Sequence, residues 1–217
     1  EMSNEAQTAD QTMLDCLNLD SPKSFFLFAG AGSGKTRSLV EVLKRFKEAH
    51  AQRLRIEGQQ VAIITYTNAA CEEIQRRLNY DPTFAVSTIH SFAWRLIQPY
   101  TEDIRRSIRQ ALNDDIAELH AAQAKGRAGT KAAADRERKI EFKTKRLENL
   151  PTVKKFSYDP NGENVGRDSL NHSEVISLSA EFLNQKPMMR CILVQSYPIL
   201  LIDESQDTNK GLLEALI

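Results

Sequence analysis

The chain has 217 residues, 41 % of them hydrophobic and 27 % charged, with acidic and basic side chains in equal number and a formal net charge of zero. That is enough chain to bury a full core, and it excludes both an unstructured polar tail and a polycation drawn to nucleic acid by global charge alone. Cys16, Cys71 and Cys191 lie far apart with no Cys-x-x-Cys and no His cluster nearby, and no apolar run is long enough to span a bilayer, so the expectation is a soluble cytoplasmic protein with no membrane partner.

Residues 5–19 carry helical apolar spacing. The run Phe25-Phe26-Leu27-Phe28-Ala29 follows Ser21-Pro22 and predicts a strand buried on both faces. Residues 37–55 predict an amphipathic helix, with Leu39, Val40, Leu43 and Phe46 on its apolar side, ending before Gly58. Val61–Thr65 reads as a second strand, Asn68–Leu78 as a helix, Phe84–Ser87 as a third strand and His90–Ile97 as a helix. The texture then changes. Residues 102–150 read as helical with a break at Gly126-Arg127-Ala128-Gly129, Tyr158-Asp159-Pro160-Asn161-Gly162 reads as a loop, and helices are expected over 172–185 and 187–196. Ile199–Ile202 is a fourth strand, stopped by Asp203-Glu204. Strands alternating with helices predict an α/β fold whose parallel sheet is covered on both sides, interrupted by a mostly helical insertion. The expected division is 1–97 for the first part of the sheet domain, 98–195 for the insertion and 196–217 for the returning segment.

The segment between the first strand and the first long helix, Ala29-Gly30-Ala31-Gly32-Ser33-Gly34-Lys35-Thr36, carries the chemistry. Its glycines permit a tight turn whose N–H groups converge on phosphate oxygens, and the helix behind it adds the positive end of its dipole. Lys35 is then expected to reach the β- and γ-phosphates, and Thr36 to offer its hydroxyl to Mg²⁺. A second pole is needed opposite this loop. Asp203, at a strand end, suits the magnesium, and Glu204 the polarisation of the water that attacks the γ-phosphate. ATP and Mg²⁺ are therefore the expected cofactors.

Taken together, the phosphate loop and Asp203-Glu204-Ser205-Gln206-Asp207-Thr208 resemble the UvrD/Rep family of superfamily one DNA helicases. Thr65-Tyr66-Thr67-Asn68-Ala69-Ala70, with Arg77 on the next helix, resembles that family's first DNA-contacting motif, and Ser87-Thr88-Ile89-His90-Ser91-Phe92 its second. The resemblance implies a RecA-like P-loop NTPase lobe, with Gln11 reading the adenine edge, Gln7 as the alternative, Arg37 adjoining the nucleotide, and Gln206 and Asp207 coupling hydrolysis to DNA. Ala29 stands where the loop usually has glycine, and Ala69 where the family often has lysine.

The DNA contacts implied are Thr65, Tyr66, Thr67, Asn68, His90 and Ser91. Physically, Tyr66 offers a ring for an unstacked base, and the helix starts offer N–H donors to phosphate. Core packing for Tyr66 and a helix-start hydrogen bond for His90 stay open as alternatives, and Trp94 reads as core. Residues 125–155 hold eleven Lys or Arg against four Asp or Glu, which predicts either a solvated helical face or contact with a nucleic-acid backbone.

The resemblance implies an ATP-dependent translocase and helicase on single-stranded or partly duplex DNA, moving 3′ to 5′ and serving DNA repair. The chain is expected to be its N-terminal motor fragment, nearly inactive without a second lobe. Two other readings stay open. One is a DNA-stimulated ATPase acting as a sensor or in defence against phage, with a nuclease partner and little unwinding. The other is a nucleic-acid-binding module that does not hydrolyse ATP.

Overall fold

The computed structural model describes residues 10–25, 35–127, 129–203 and 209–216. The strand expected from Phe26 onward, the glycine-rich part of the phosphate loop and residues 204–208 lie outside the described residues, as does Gln7.

Two compact units are present, one formed by Glu1–Phe92 with Leu183–Ile217 and the other by Ala93–Phe182. In the first, helix α1 covers residues 10–16. Helix α2 spans Lys35–Glu57, strand β1 Val61–Thr65, helix α3 Asn68–Arg77, strand β2 Phe84–Thr88 and helix α4 Ile89–Ile97, which runs past the division. After the second unit the chain returns through helix α8, Pro187–Ser196, strand β3, Ile199–Ile202, and helix α9, Lys210–Leu216. The second unit holds helices α5, Thr101–Lys125, and α6, Lys131–Asn149, a 3-10 turn at Leu150–Thr152, and most of helix α7, His172–Gln185.

The described sheet is all parallel, in the order β2-β1-β3. Every residue of β1 is buried, as the unbroken run Val-Ala-Ile-Ile-Thr requires of a central parallel strand with both faces covered. Val61 and Ile63 lie in one cluster with Leu43 and Phe46 of α2, Ile74 of α3, Leu78 just beyond it, and Met13 and Leu17 from the α1 region. Full burial of a side chain such as Leu43 or Phe46 stabilises by about 1.5–3 kcal/mol, so this cluster holds the sheet unit together.

Gly58 makes the passage from α2 into β1. It adopts a left-handed φ of 67°, the Gly58 N–H donates to the Arg55 carbonyl and the Gln59 N–H to the Leu54 carbonyl. That pair of bonds closes the helix end, and only glycine enters this backbone region without steric cost.

In the helical unit, Ile104, Ile108 and Leu112 form the buried stripe of α5. Helix α6 buries only Ala133, and the Thr130 hydroxyl caps its start by accepting from the Ala133 N–H at 3.2 Å. The Arg136 Nε donates to Gln123 Oε1 at 2.6 Å, tying α6 to α5 near the turn. Among the described residues no helix is long and apolar enough to cross a membrane.

Candidate functional site at the carboxyl edge of the sheet

Parallel strands deliver their carboxyl ends to one edge, and in open α/β sheets ligands bind outside that edge. Here the register aligns Thr65 with Thr88 and Ile64 with Ile202. Asp203 follows Ile202 directly, and its N–H donates to the Ile64 carbonyl at 2.8 Å. The ends of β1 and β2 and the acidic residue after β3 therefore stand at one level of one sheet edge. Asp203 is half-buried.

Each of the first two strand ends turns at once into a helix start. After β1, Thr67 lies in extended backbone and its hydroxyl accepts from the Ala70 N–H at 3.2 Å, which caps α3. Thr65 is 1 % exposed, and its hydroxyl donates to the Thr67 carbonyl at 3.1 Å. That bond braces the turn. Between the two threonines, Tyr66 is 46 % exposed, so its ring presents a face to solvent instead of packing in the core.

After β2, the Thr88 hydroxyl accepts from the Ser91 N–H at 3.3 Å and donates to Ser91 Oγ at 3.0 Å. Thr88 therefore holds the turn that presents His90 and Ser91, both half-buried. Thr88 was not singled out from sequence. The signal that finds it is a Ser or Thr three residues before another hydroxyl at a strand-to-helix junction, the spacing of a side-chain cap. Ser87 beside it is 7 % exposed, and its hydroxyl has no partner within the protein.

The remaining predicted positions are spread over other elements of the sheet unit. Helix α2 opens at Lys35; Thr36 in its first turn is half-buried and Arg37 is exposed. Gln11 is exposed on α1, where its amide donates to Asp15 Oδ1 at 2.9 Å. Arg77 pairs with Glu73 at 2.5 Å across one turn of α3. Ala29, Gly30, Ala31, Gly32, Ser33, Gly34, Glu204, Gln206 and Asp207 lie outside the described residues. Among the described residues no cluster of three or more His, Cys, Asp or Glu could hold a metal by itself. The donors available to Mg²⁺ are hard oxygens, the Thr36 hydroxyl and the Asp203 carboxylate. That set suits a cation that keeps several waters and takes only one or two protein ligands beside phosphate oxygens.

The basic stretch of the helical unit is largely neutralised within the unit. Lys143 pairs with Asp115, and Arg146 grips both carboxylate oxygens of Glu174, at 2.5 and 3.0 Å. Both members of the Arg146–Glu174 pair are about a quarter exposed, a setting in which a two-pronged guanidinium–carboxylate contact is stronger than a surface ion pair.

Comparison with known proteins matches these features to one family. The model of the UvrD/REP helicase N-terminal domain matches residues 12–161. The Gabija protein GajB of Bacillus cereus (strain HuB5-5) is 24 % identical over 255 aligned residues, which cover 89 % of this chain and 37 % of GajB. An ATP-dependent helicase/nuclease of Desulforudis audaxviator (strain MP104C) is 31 % identical over 100 residues, 36 % of this chain and 8 % of that protein. The chain thus spans little more than a third of GajB and under a tenth of the helicase/nuclease.

Proposed function

Because this chain belongs to the UvrD/REP helicase family, we propose that it works as the N-terminal motor domain of an ATP-dependent DNA translocase and helicase, moving 3′ to 5′ on single-stranded or partly duplex DNA. The observation that carries the reading is the sheet edge. Asp203 stands level with the exposed ring of Tyr66 and the two capped helix starts, so carboxylate chemistry and a DNA-facing surface share one set of strand ends.

In this reading the backbone N–H groups of residues 29–34 and the side chain of Lys35 bind the ATP phosphates, with Arg37 adjoining and Gln11 at the adenine. Thr36 and Asp203 would hold Mg²⁺, which neutralises phosphate charge when bound. Glu204 orients the attacking water and accepts its proton, a role worth about 10²- to 10⁴-fold in rate. Gln206 and Asp207 pass the state of the nucleotide to the DNA surface.

On that surface Tyr66 stacks on a base, and stacking ignores sequence because every base has a π-face. The N–H groups at the starts of α3 and α4, with Asn68, His90 and Ser91, meet phosphates. Thr65, Thr67 and Thr88 spend their hydroxyls on the protein itself and so position these groups. A nuclease partner is proposed on the printed name of the second relative, which joins the two activities. Work in the cytoplasm and in DNA repair is proposed alongside.

Calorimetric titration with a non-hydrolysable ATP analogue tests the assignment. Lys35→Ala should lose nucleotide binding, whereas Glu204→Gln should bind as the parent does and fail only in turnover. Equal loss of binding in both variants would remove Glu204 from the role of water-orienting base.

A further inference from the structure

Within the helical unit, Trp94, Gln98, Lys155, Phe156, Ser157, Tyr158 and Asp168 line a cavity of about 320 Å³, at the small end of the range of ligand sites. Its aromatic wall is fixed. Phe156 and Tyr158 are 3 % and 8 % exposed. The Tyr158 hydroxyl and His172 Nδ1 share a hydrogen bond of 2.6 Å, with the two rings edge to face. The Trp94 ring lies 5.9 Å from that of Tyr158 and is tilted against it by 55°. The loop that carries Asp168 is pinned to the same wall, because the Ser157 N–H donates to the Asp168 carbonyl at 2.9 Å and the Leu170 N–H to the Ser157 carbonyl at 3.0 Å.

Three polar side chains of this cavity, the Gln98 amide, the Lys155 ammonium and the Asp168 carboxylate, make no hydrogen bond or ion pair with any described residue. Lys143 and Arg146 of the same unit do the opposite, each being engaged by a carboxylate. Lys155 and Asp168 line one cavity without meeting each other. A cation, an anion and an amide left open around rigid aromatic rings call for a ligand with a flat apolar body, an edge that both donates and accepts, and an anionic tail. An apolar ligand would leave all three polar groups unsatisfied, and a simple anion would face Asp168.

We propose that this cavity is a nucleotide-binding site separate from the phosphate loop, in which the base lies against Trp94 and Tyr158, Gln98 and Asp168 meet the base edge, and Lys155 meets the phosphate. The site is built from the helical unit alone and does not depend on the ATP site. Two sources carry this chemistry, a free nucleotide and an unstacked base of a single strand.

Trp94 is the single tryptophan of the chain, so its fluorescence reports on this cavity directly. The probe experiment uses the whole chain carrying Lys35→Ala, which silences the phosphate loop, without Mg²⁺. Titrants are dAMP, a deoxyadenosine oligonucleotide and an abasic oligonucleotide of equal length. Saturable quenching by dAMP assigns the site to free nucleotide, and quenching by the base-bearing oligonucleotide alone assigns it to a strand. In either case Lys155→Ala and Gln98→Ala should each weaken binding about tenfold while leaving the Trp94 emission of the free chain unchanged. Equal quenching by the abasic strand, or no saturable quenching by any titrant, would overturn the proposal. Failure of the ATP assignment leaves this readout untouched, because Lys35 is already absent from it.

Discussion

The sheet edge and the helical unit treat polar groups in opposite ways. At the edge, few charges are present; hydroxyls of Thr65, Thr67 and Thr88 brace three short turns, and what is left facing outward is a ring and a set of backbone donors. The helical unit is dense in charge, yet Lys143 and Arg146 are held by Asp115 and Glu174. A count of basic residues along a chain therefore overstates the charge available to a ligand, because a partner far away in sequence can claim it first.

The comparison predicts that variants at the edge affect function and variants of the paired cations affect stability. The largest effect is expected from Glu204→Gln in the complete protein, which should lower ATP hydrolysis about 10²- to 10⁴-fold. Arg146→Ala should leave the rate per folded molecule near that of the parent. A comparable fall in both, measured by phosphate release, would break the division of labour.

Next in size is Tyr66→Ala, which removes the exposed ring without disturbing the bonds around it. Affinity for single-stranded DNA should fall about 5- to 150-fold, the range of one lost stacking contact, with no dependence on base sequence. Fluorescence anisotropy with poly-dT and mixed-sequence strands reads this, and an unchanged affinity would return Tyr66 to a structural role.

Arg146→Ala should instead destabilise the chain by about 1–3 kcal/mol, because Glu174 is left partly buried without its partner. A denaturant midpoint that moves with an unchanged slope is the expected signature.

A smaller, pH-dependent effect is expected at Asp81. Burial raises its pKa, but hydrogen bonds from Lys47 and Thr83 outweigh that and hold the carboxyl down at about 2. The folded value lies below the unfolded one, so the stabilisation is complete above about pH 4 and is lost as pH falls towards 2. Asp81→Asn should cost about 1 kcal/mol at neutral pH, and its stability curve should meet that of the parent in strong acid. Curves that stay apart there would assign the cost to packing.

The smallest change separates a paired lysine from an open one two residues away. Charge reversal at Lys145, which is exposed, should reduce the salt dependence of DNA binding by about 0.7 log units per decade if it meets one phosphate. Reversal at Lys143, already engaged by Asp115, should leave the slope unchanged.

Much of the fold was legible in the sequence, for local reasons. The apolar runs Val61–Thr65, Phe84–Ser87 and Ile199–Ile202 are short, rich in β-branched residues and bounded by turn formers, and each is a strand, with β2 extending one residue further to Thr88. The helices expected over 172–185 and 187–196 occur at those residues, with Pro187 opening the second where its missing N–H costs nothing. Family membership was equally legible, because it resides in ordered motifs whose spacing the chain itself displays.

Pairings between distant residues were not legible. Periodicity could place Lys143 and Arg146 on a helix, but their partners stand 28 residues away on other helices. Gln98, Lys155 and Asp168 belong to no motif; packing brought them to one cavity and left them open.

Local propensity and apolar period, written residue by residue, determined the elements, the alternation that makes the sheet parallel, and the family. Tertiary structure alone decided which polar groups are spent on the protein and which remain for a ligand. Hydrogen bonding and charge neutralisation act through distances between side chains, and those distances exist only after the chain has closed on its core.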